Sequence, residues 1–193
     1  MGRFLNRALE RTGLTALAER ALSGVGLDEQ ALARMQDADV LVIAGLADAV
    51  RGRHRGDEVR IMTAETARRD GMVVRLNLAL ASGSGQGDGP TGEELLRQVA
   101  LARLARPADQ SIGVSFDQIG LGLAQVALAF GADVLIGDLR AQRTLPLLDG
   151  PAARRVEITG LVERTGRRVR FVDQEPATEG QPVVQPVVME SRS

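Results

Sequence analysis

The stretch that decides the fold runs from Ser111 to Ile136: SIGVSFDQIGLGLAQVALAFGADVLI. Ser111 to Phe116 is a short apolar run containing β-branched residues, as expected of a buried strand. Ile119 to Phe130 is rich in Gly, Ala and Leu at helical spacing, and Gly131 stands where a helix C-terminus is capped. Val134 to Ile136 is a second branched run. Strand, helix and strand with short connections predict a right-handed parallel βαβ unit.

The pattern extends outward in both directions. Thr91 and Glu94 form a capping box for a helix reaching about Ala105, with Pro107 just beyond it. Ahead of that helix, Met72 to Leu80 alternates, with Val74, Leu76, Leu78 and Leu80 on one face and Val73, Arg75, Asn77 and Ala79 on the other. Glu58 to Met62 is a shorter strand candidate. Downstream, a weaker amphipathic helix from about Ala152 to Arg164 precedes a strand at Val169 to Val172. The first quarter reads as helices. Leu5, Leu9, Leu17 and Leu22 are broken near Gly13 and closed by Gly24 and Gly26. Asp28 caps a helix from Glu29 to Met35, and a longer one follows from Asp39 to about Arg53. Leu41, Ile43, Leu46 and Val50 share one side of it. The predicted class is α/β, with N-terminal helices over 1–56, a core of few, mostly parallel strands over 57–174, and a Pro-bearing tail over 175–193 that reads as disordered.

Composition removes much chemistry. The 193 residues include no Cys, Trp or Tyr, one His (His54), and 24 basic residues that are all Arg. Without Cys there is no thiolate for an iron–sulfur cluster or zinc and no thiol nucleophile. Without Lys there is no Schiff base. With one His, any serine triad must run through His54, which sits among arginines at a helix C-terminus, where a cation complements the helix dipole. A net charge of −1 supplies no bulk attraction to nucleic acid, and Phe4, Phe116, Phe130 and Phe171 are too few to stack bases. The N-terminus lacks a signal core, and Gly120, Gly122, Gly131 and Asp133 interrupt the most apolar run, so a cytoplasmic, non-membrane protein without cofactor or metal is expected.

Two constellations suggest ligand sites. Gly87, Gly89 and Gly92 spell G-x-G-x-x-G, a weak phosphate-binding candidate. The first of these glycines does not turn directly off the strand, and Pro90 removes an amide from the cradle, so a βα loop is the better reading. The second constellation uses the carboxyl edge of the strands, where parallel sheets bind ligands. Arg75 and Asn77 project from one strand, Asp117 and Gln118 follow another, and Asp138 follows a third; together they predict a polar pocket. The alternative is that Asp117 caps the following helix while Arg75 and Asn77 face solvent. Asp28, Glu29, Asp37 and Asp39 read as helix-capping acids rather than metal ligands.

The segment order resembles a known family. Gly26-Leu-Asp-Glu-Gln-Ala-Leu-Ala through Asp37 to Asp48, ending Arg55-Gly-Asp-Glu-Val-Arg60, is similar to the N-terminal helices of the futalosine-route radical S-adenosylmethionine enzymes. Those are aminofutalosine synthase and dehypoxanthine futalosine cyclase. Gly92 to Pro107 and Gly120 to Asp133 resemble that family's last barrel helices, and Glu157 to Asp173 its closing helix and strand. The resemblance covers most of residues 26 to 173 as two blocks. It implies a C-x3-C-x2-C cluster motif after Val59 to Met62; here Thr63-Ala-Glu-Thr-Ala67 runs directly toward Val73 instead.

The resemblance therefore implies a partial (β/α) barrel without radical chemistry. The leading expectation is a non-catalytic accessory or regulatory subunit, pairing with itself or a full-length relative and linked to menaquinone biosynthesis. The alternative is a small-molecule binder, with a nucleoside-like ligand, or a cofactorless enzyme, built on Arg75, Asn77, Asp117, Gln118 and Asp138.

Overall fold

Helix boundaries in the first quarter follow the residues that cap them. A computed structural model describes residues 2–78, 90–140 and 153–172. Helix α1 (Arg3–Thr12) ends at Gly13, whose φ of 66° suits a residue without Cβ, and α2 (Thr15–Leu22) follows. Asp28 caps α3 (Glu29–Gln36) by accepting from the Ala31 N–H at 2.9 Å. Asp39 caps α4 (Val40–Arg55) by accepting from the Leu41 N–H at 2.8 Å. The buried stripe of α4 is Ile43, Leu46, Ala47 and Val50. Leu41, expected on that side, is instead 67% exposed, because it lies only two residues before Ile43 and so falls off the stripe.

Strand β1 (Glu58–Met62) matches its sequence reading, and α5 (Ala64–Arg69) starts on the Thr63 cap. Strand β2 is only Val73–Arg75, shorter than the alternation from Met72 to Leu80 suggests. Its partner β3 (Ser111–Ser115) enters α7 at Phe116, so the ladder ends soon after the Leu76 N–H donates to the Gly113 carbonyl. The capping box forms as expected, with the Thr91 hydroxyl on the Glu94 N–H and the Glu94 carboxylate on the Thr91 N–H, and opens α6 (Gly92–Ala105).

Helix α7 spans Phe116–Leu128 and begins earlier than Ile119. It is two pieces joined at Gly120, whose φ of 77° and ψ of 155° lie where essentially only glycine is found. Strand β4 (Val134–Ile136), helix α8 (Arg155–Glu163) and strand β7 (Arg168–Phe171) complete the main elements. Between β4 and α8, β5 (Leu139–Arg140) and β6 (Ala153–Arg154) make a small parallel pair that hydrophobic pattern does not reveal. Leu80, the loop glycines Gly87 and Gly89, and the tail from Glu175 lie outside the described residues.

The five main strands form one all-parallel sheet in the order β2-β3-β4-β1-β7. Strand β1 is an inner strand, between β4 and the edge strand β7. Alternation divides the sheet's two faces. Val59, Ile61, Ile112, Val114 and Leu135 enter the large core with α4, α6, α7 and α8. Met62, Val134 and Ile136 pack with Val73 and Ala67 of α5 on the other face. The connection from β1 runs toward β2, whereas those from β2, β3 and β4 run the opposite way. Right-handed crossovers therefore place α5 across the sheet from α6, α7 and α8.

The amino edge of the sheet is fixed by ions. Arg103 is fully buried; its guanidinium donates to Asp133 at 2.5 Å and to the Gly131 and Gln110 carbonyls. Asp133 also accepts from the Ile112 N–H and from Arg55. Arg55 and Arg60 both donate to the buried Ser111 hydroxyl, at 2.6 and 2.8 Å. Strands β1, β3 and β4 and helices α4 and α6 are thus tied at one end, leaving the carboxyl ends as the free edge.

Candidate functional site

A cavity of about 360 Å³ opens at the carboxyl ends of β1 to β4, at the small end of the usual range for ligand sites. Ala64, Arg75, Leu76, Asn77, Ser115, Gln118 and Ile136 line it. Alternation explains the assembly. Arg75, Ser115 and Ile136 point to the face covered by α5, and Asn77 continues the parity of Arg75 past the strand. Ala64 begins the helix after β1, and Gln118 comes from the first turn of α7.

Connections leave the neighbouring strands β1 and β4 toward opposite faces, so the cavity lies beside the topological switch point, the usual ligand crevice of open parallel sheets. Gly113 helps shape its floor. A Cβ there would stand 2.7 Å from Ile136 Cδ1 and 3.0 Å from Val73 Cγ1, so only glycine lets both side chains close over β3.

Four polar side chains face the cavity: Arg75, Asn77, Ser115 and Gln118. Among the described residues none of them has a hydrogen-bond or ion-pair partner. Ser115 occupies the N-cap position of α7, yet its hydroxyl does not cap the helix. Arg75, Asn77 and Gln118 are exposed and Ser115 is half-buried, while Ile136 is buried. The lining thus combines one cation, two carboxamides and a hydroxyl with an apolar wall of Ala64, Leu76 and Ile136.

Three of the five expected ligand residues, Arg75, Asn77 and Gln118, therefore come together. Asp117 and Asp138 do not line the cavity. The Asp138 N–H donates to Asp117 Oδ2 at 3.0 Å, so Asp117 bridges the ends of β3 and β4 instead of capping a helix. Desolvation raises the Asp117 carboxyl above its ordinary pKa, against the lowering effect of that N–H and with a further push from the Asp138 carboxylate. Sequence reasoning missed Ser115. Its signal was the alternation Ser111, Gly113, Ser115, obscured by reading the strand one residue too far.

Elsewhere, Gly92 opens α6 with only an ordinary contact to Leu123, and Glu93 and Glu94 in that first turn oppose an anion. His54 Nε2 lies 3.1 Å from the Leu22 carbonyl oxygen, tying α4 to the end of α2. Among the described residues no group of three or more His, Asp or Glu gathers as a metal site, and no helix is long and apolar enough to cross a membrane. The sequence matches no protein-family model and no curated protein.

Proposed function

We propose that this chain is a small-molecule-binding protein of the cytoplasm whose site is the cavity at the carboxyl ends of β1 to β4. One observation carries the reading: four polar side chains from two separate segments, 75–77 and 115–118, converge there, and among the described residues none has a hydrogen-bond or ion-pair partner. With no internal partner these side chains keep their donors and acceptors open to solvent, and such a set at the ligand-binding edge of a parallel sheet is suited to an incoming molecule.

The test is thermal unfolding in the presence of the small-molecule fraction of the native host. A ligand at about 100 times its Kd adds about 2.7 kcal/mol, which for a chain of this size shifts Tm by several degrees. Ala64→Phe, which fills the cavity from an exposed position, should abolish that shift while leaving the unliganded Tm nearly unchanged. A shift of equal size in Ala64→Phe would refute the site.

A second reading, a non-catalytic subunit on a scaffold derived from the radical-enzyme barrel and linked to menaquinone synthesis, is favoured by a different observation. Among the described residues the sheet face bearing Met62, Val134 and Ile136 is covered by the six-residue α5 alone, whereas parallel sheets are ordinarily covered on both faces. In this reading the strands have re-closed, with β1 between β4 and β7, and a second copy or a full-length relative completes the cover. Light scattering and co-purification from the native host test it; a solitary monomer in both would exclude it.

A further inference from the structure

We propose that the ligand of this cavity is a small monocarboxylate that also carries an amide or hydroxyl group, an inference that rests on the cavity being a binding site. Arg75 is the one ionised group in the lining and has no carboxylate partner among the described residues. A guanidinium offers five donors and no acceptor in a planar fork, and an oxyanion is its best complement.

The surroundings select among oxyanions. A phosphate monoester brings a charge of about −1.5 to −2 at neutral pH, but among the described residues the lining holds a single cation, Arg75. Asp117, the residue before Gln118, and Asp138, bonded to it through its N–H, stand at the same strand ends and repel a second negative charge. One carboxylate balances Arg75 without that penalty.

The rest of the ligand follows from the remaining groups. Asn77 and Gln118 each present one acceptor and an NH2 donor, and Ser115 a hydroxyl that can do either. Together they complement an amide or hydroxyl a few atoms from the carboxylate. Leu76, Ile136 and Ala64 suit a short hydrocarbon segment, and the volume of about 360 Å³ limits its length.

The experiment is an NMR titration of the whole chain with four probes: N-acetylglycine and N-acetylalanine as monocarboxylates, N-acetylglycinamide as the neutral counterpart, and glycerol 3-phosphate. The two carboxylates should bind and shift the amide signals of Leu76, Asn77 and Gln118. Arg75→Gln should weaken them at least tenfold with an unchanged Tm, since the Arg75 side chain is exposed and makes no hydrogen bond or ion pair among the described residues. Equal binding of N-acetylglycinamide, tighter binding of glycerol 3-phosphate, or indifference to Arg75→Gln would each overturn the carboxylate class while leaving the site intact. If none of the four perturbs these amides, the carboxylate class falls. The cavity itself then stands or falls with the host-extract shift and its loss in Ala64→Phe.

Discussion

Asp133 joins α4, α6 and β3 to the start of β4. Its two oxygens accept from Arg103, Arg55 and the Ile112 N–H, and Arg103 is wholly buried. Burial draws the Arg103 guanidinium below its usual pKa, and the Asp133 charge works against that fall. Removing one partner of such a pair strands the other, at a cost of about 3–5 kcal/mol. Asp133→Ala should therefore unfold in urea far below the parent, whereas the double change Asp133→Leu with Arg103→Met should recover much of the loss. Equal instability of the two variants would show that the pair matters for more than charge. Asp117 offers a second check, by pH. Its raised pKa means that the folded state resists ionising it. Stability from this group is present below the ordinary carboxylate pKa of about 3.9 and is lost as pH rises through the raised value. Asp117→Asn keeps an acceptor for the Asp138 N–H, so it should raise Tm at pH 7, and the difference should vanish near pH 3. A constant difference across that range would contradict the assignment. None of this was legible in advance: the sequence marks Asp133 only as an interruption of an apolar run, and nothing local to it names Arg103 or Arg55.

Among the elements, α7 shows where pattern reading succeeds and where it stops. Its Gly/Ala/Leu composition announces a helix, and the Gly131 end is set by the φ of 93° that residue adopts. What composition does not announce is that Phe116 to Ile119 is a separate turn, joined to the rest at Gly120. That turn carries Asp117 and Gln118, so the conformation of Gly120 sets the position of one wall of the cavity. A Cβ at Gly120 meets no atom within 4 Å, so the cost of a substitution there is backbone strain alone, about 1–3 kcal/mol. Gly120→Ala should lower stability by that amount and weaken ligand binding through displacement of Gln118. Undiminished affinity in a destabilised variant would separate the kink from the site. Capping signals, by contrast, hold at three helices, though not at Asp117, which lies inside the first turn of α7. Asp28, Asp39 and the Thr91–Glu94 box act where they stand, because caps are local in sequence.

At the scale of the molecule, the α/β class and the parallel strands were legible because short branched runs alternated with helical ones. The strand order was not. Only tertiary pairing reveals that β1 lies between β4 and β7, and that order places α5, alone among the described helices, on one face and the switch point beside the cavity. Arg75 and Asn77 were identifiable by alternation, and Gln118 by its place after a strand; their convergence with Ser115 required the register of β2 on β3. The chain contains no cysteine, and the open edge, where Arg75 has no partner among the described residues, directs attention to binding. The most direct test is a structure of the chain with N-acetylglycine bound. The account predicts the carboxylate on the Arg75 guanidinium and the amide against Asn77 or Gln118. A ligand seated away from the carboxyl ends of β1 to β4, or one that leaves Arg75 free, would contradict it.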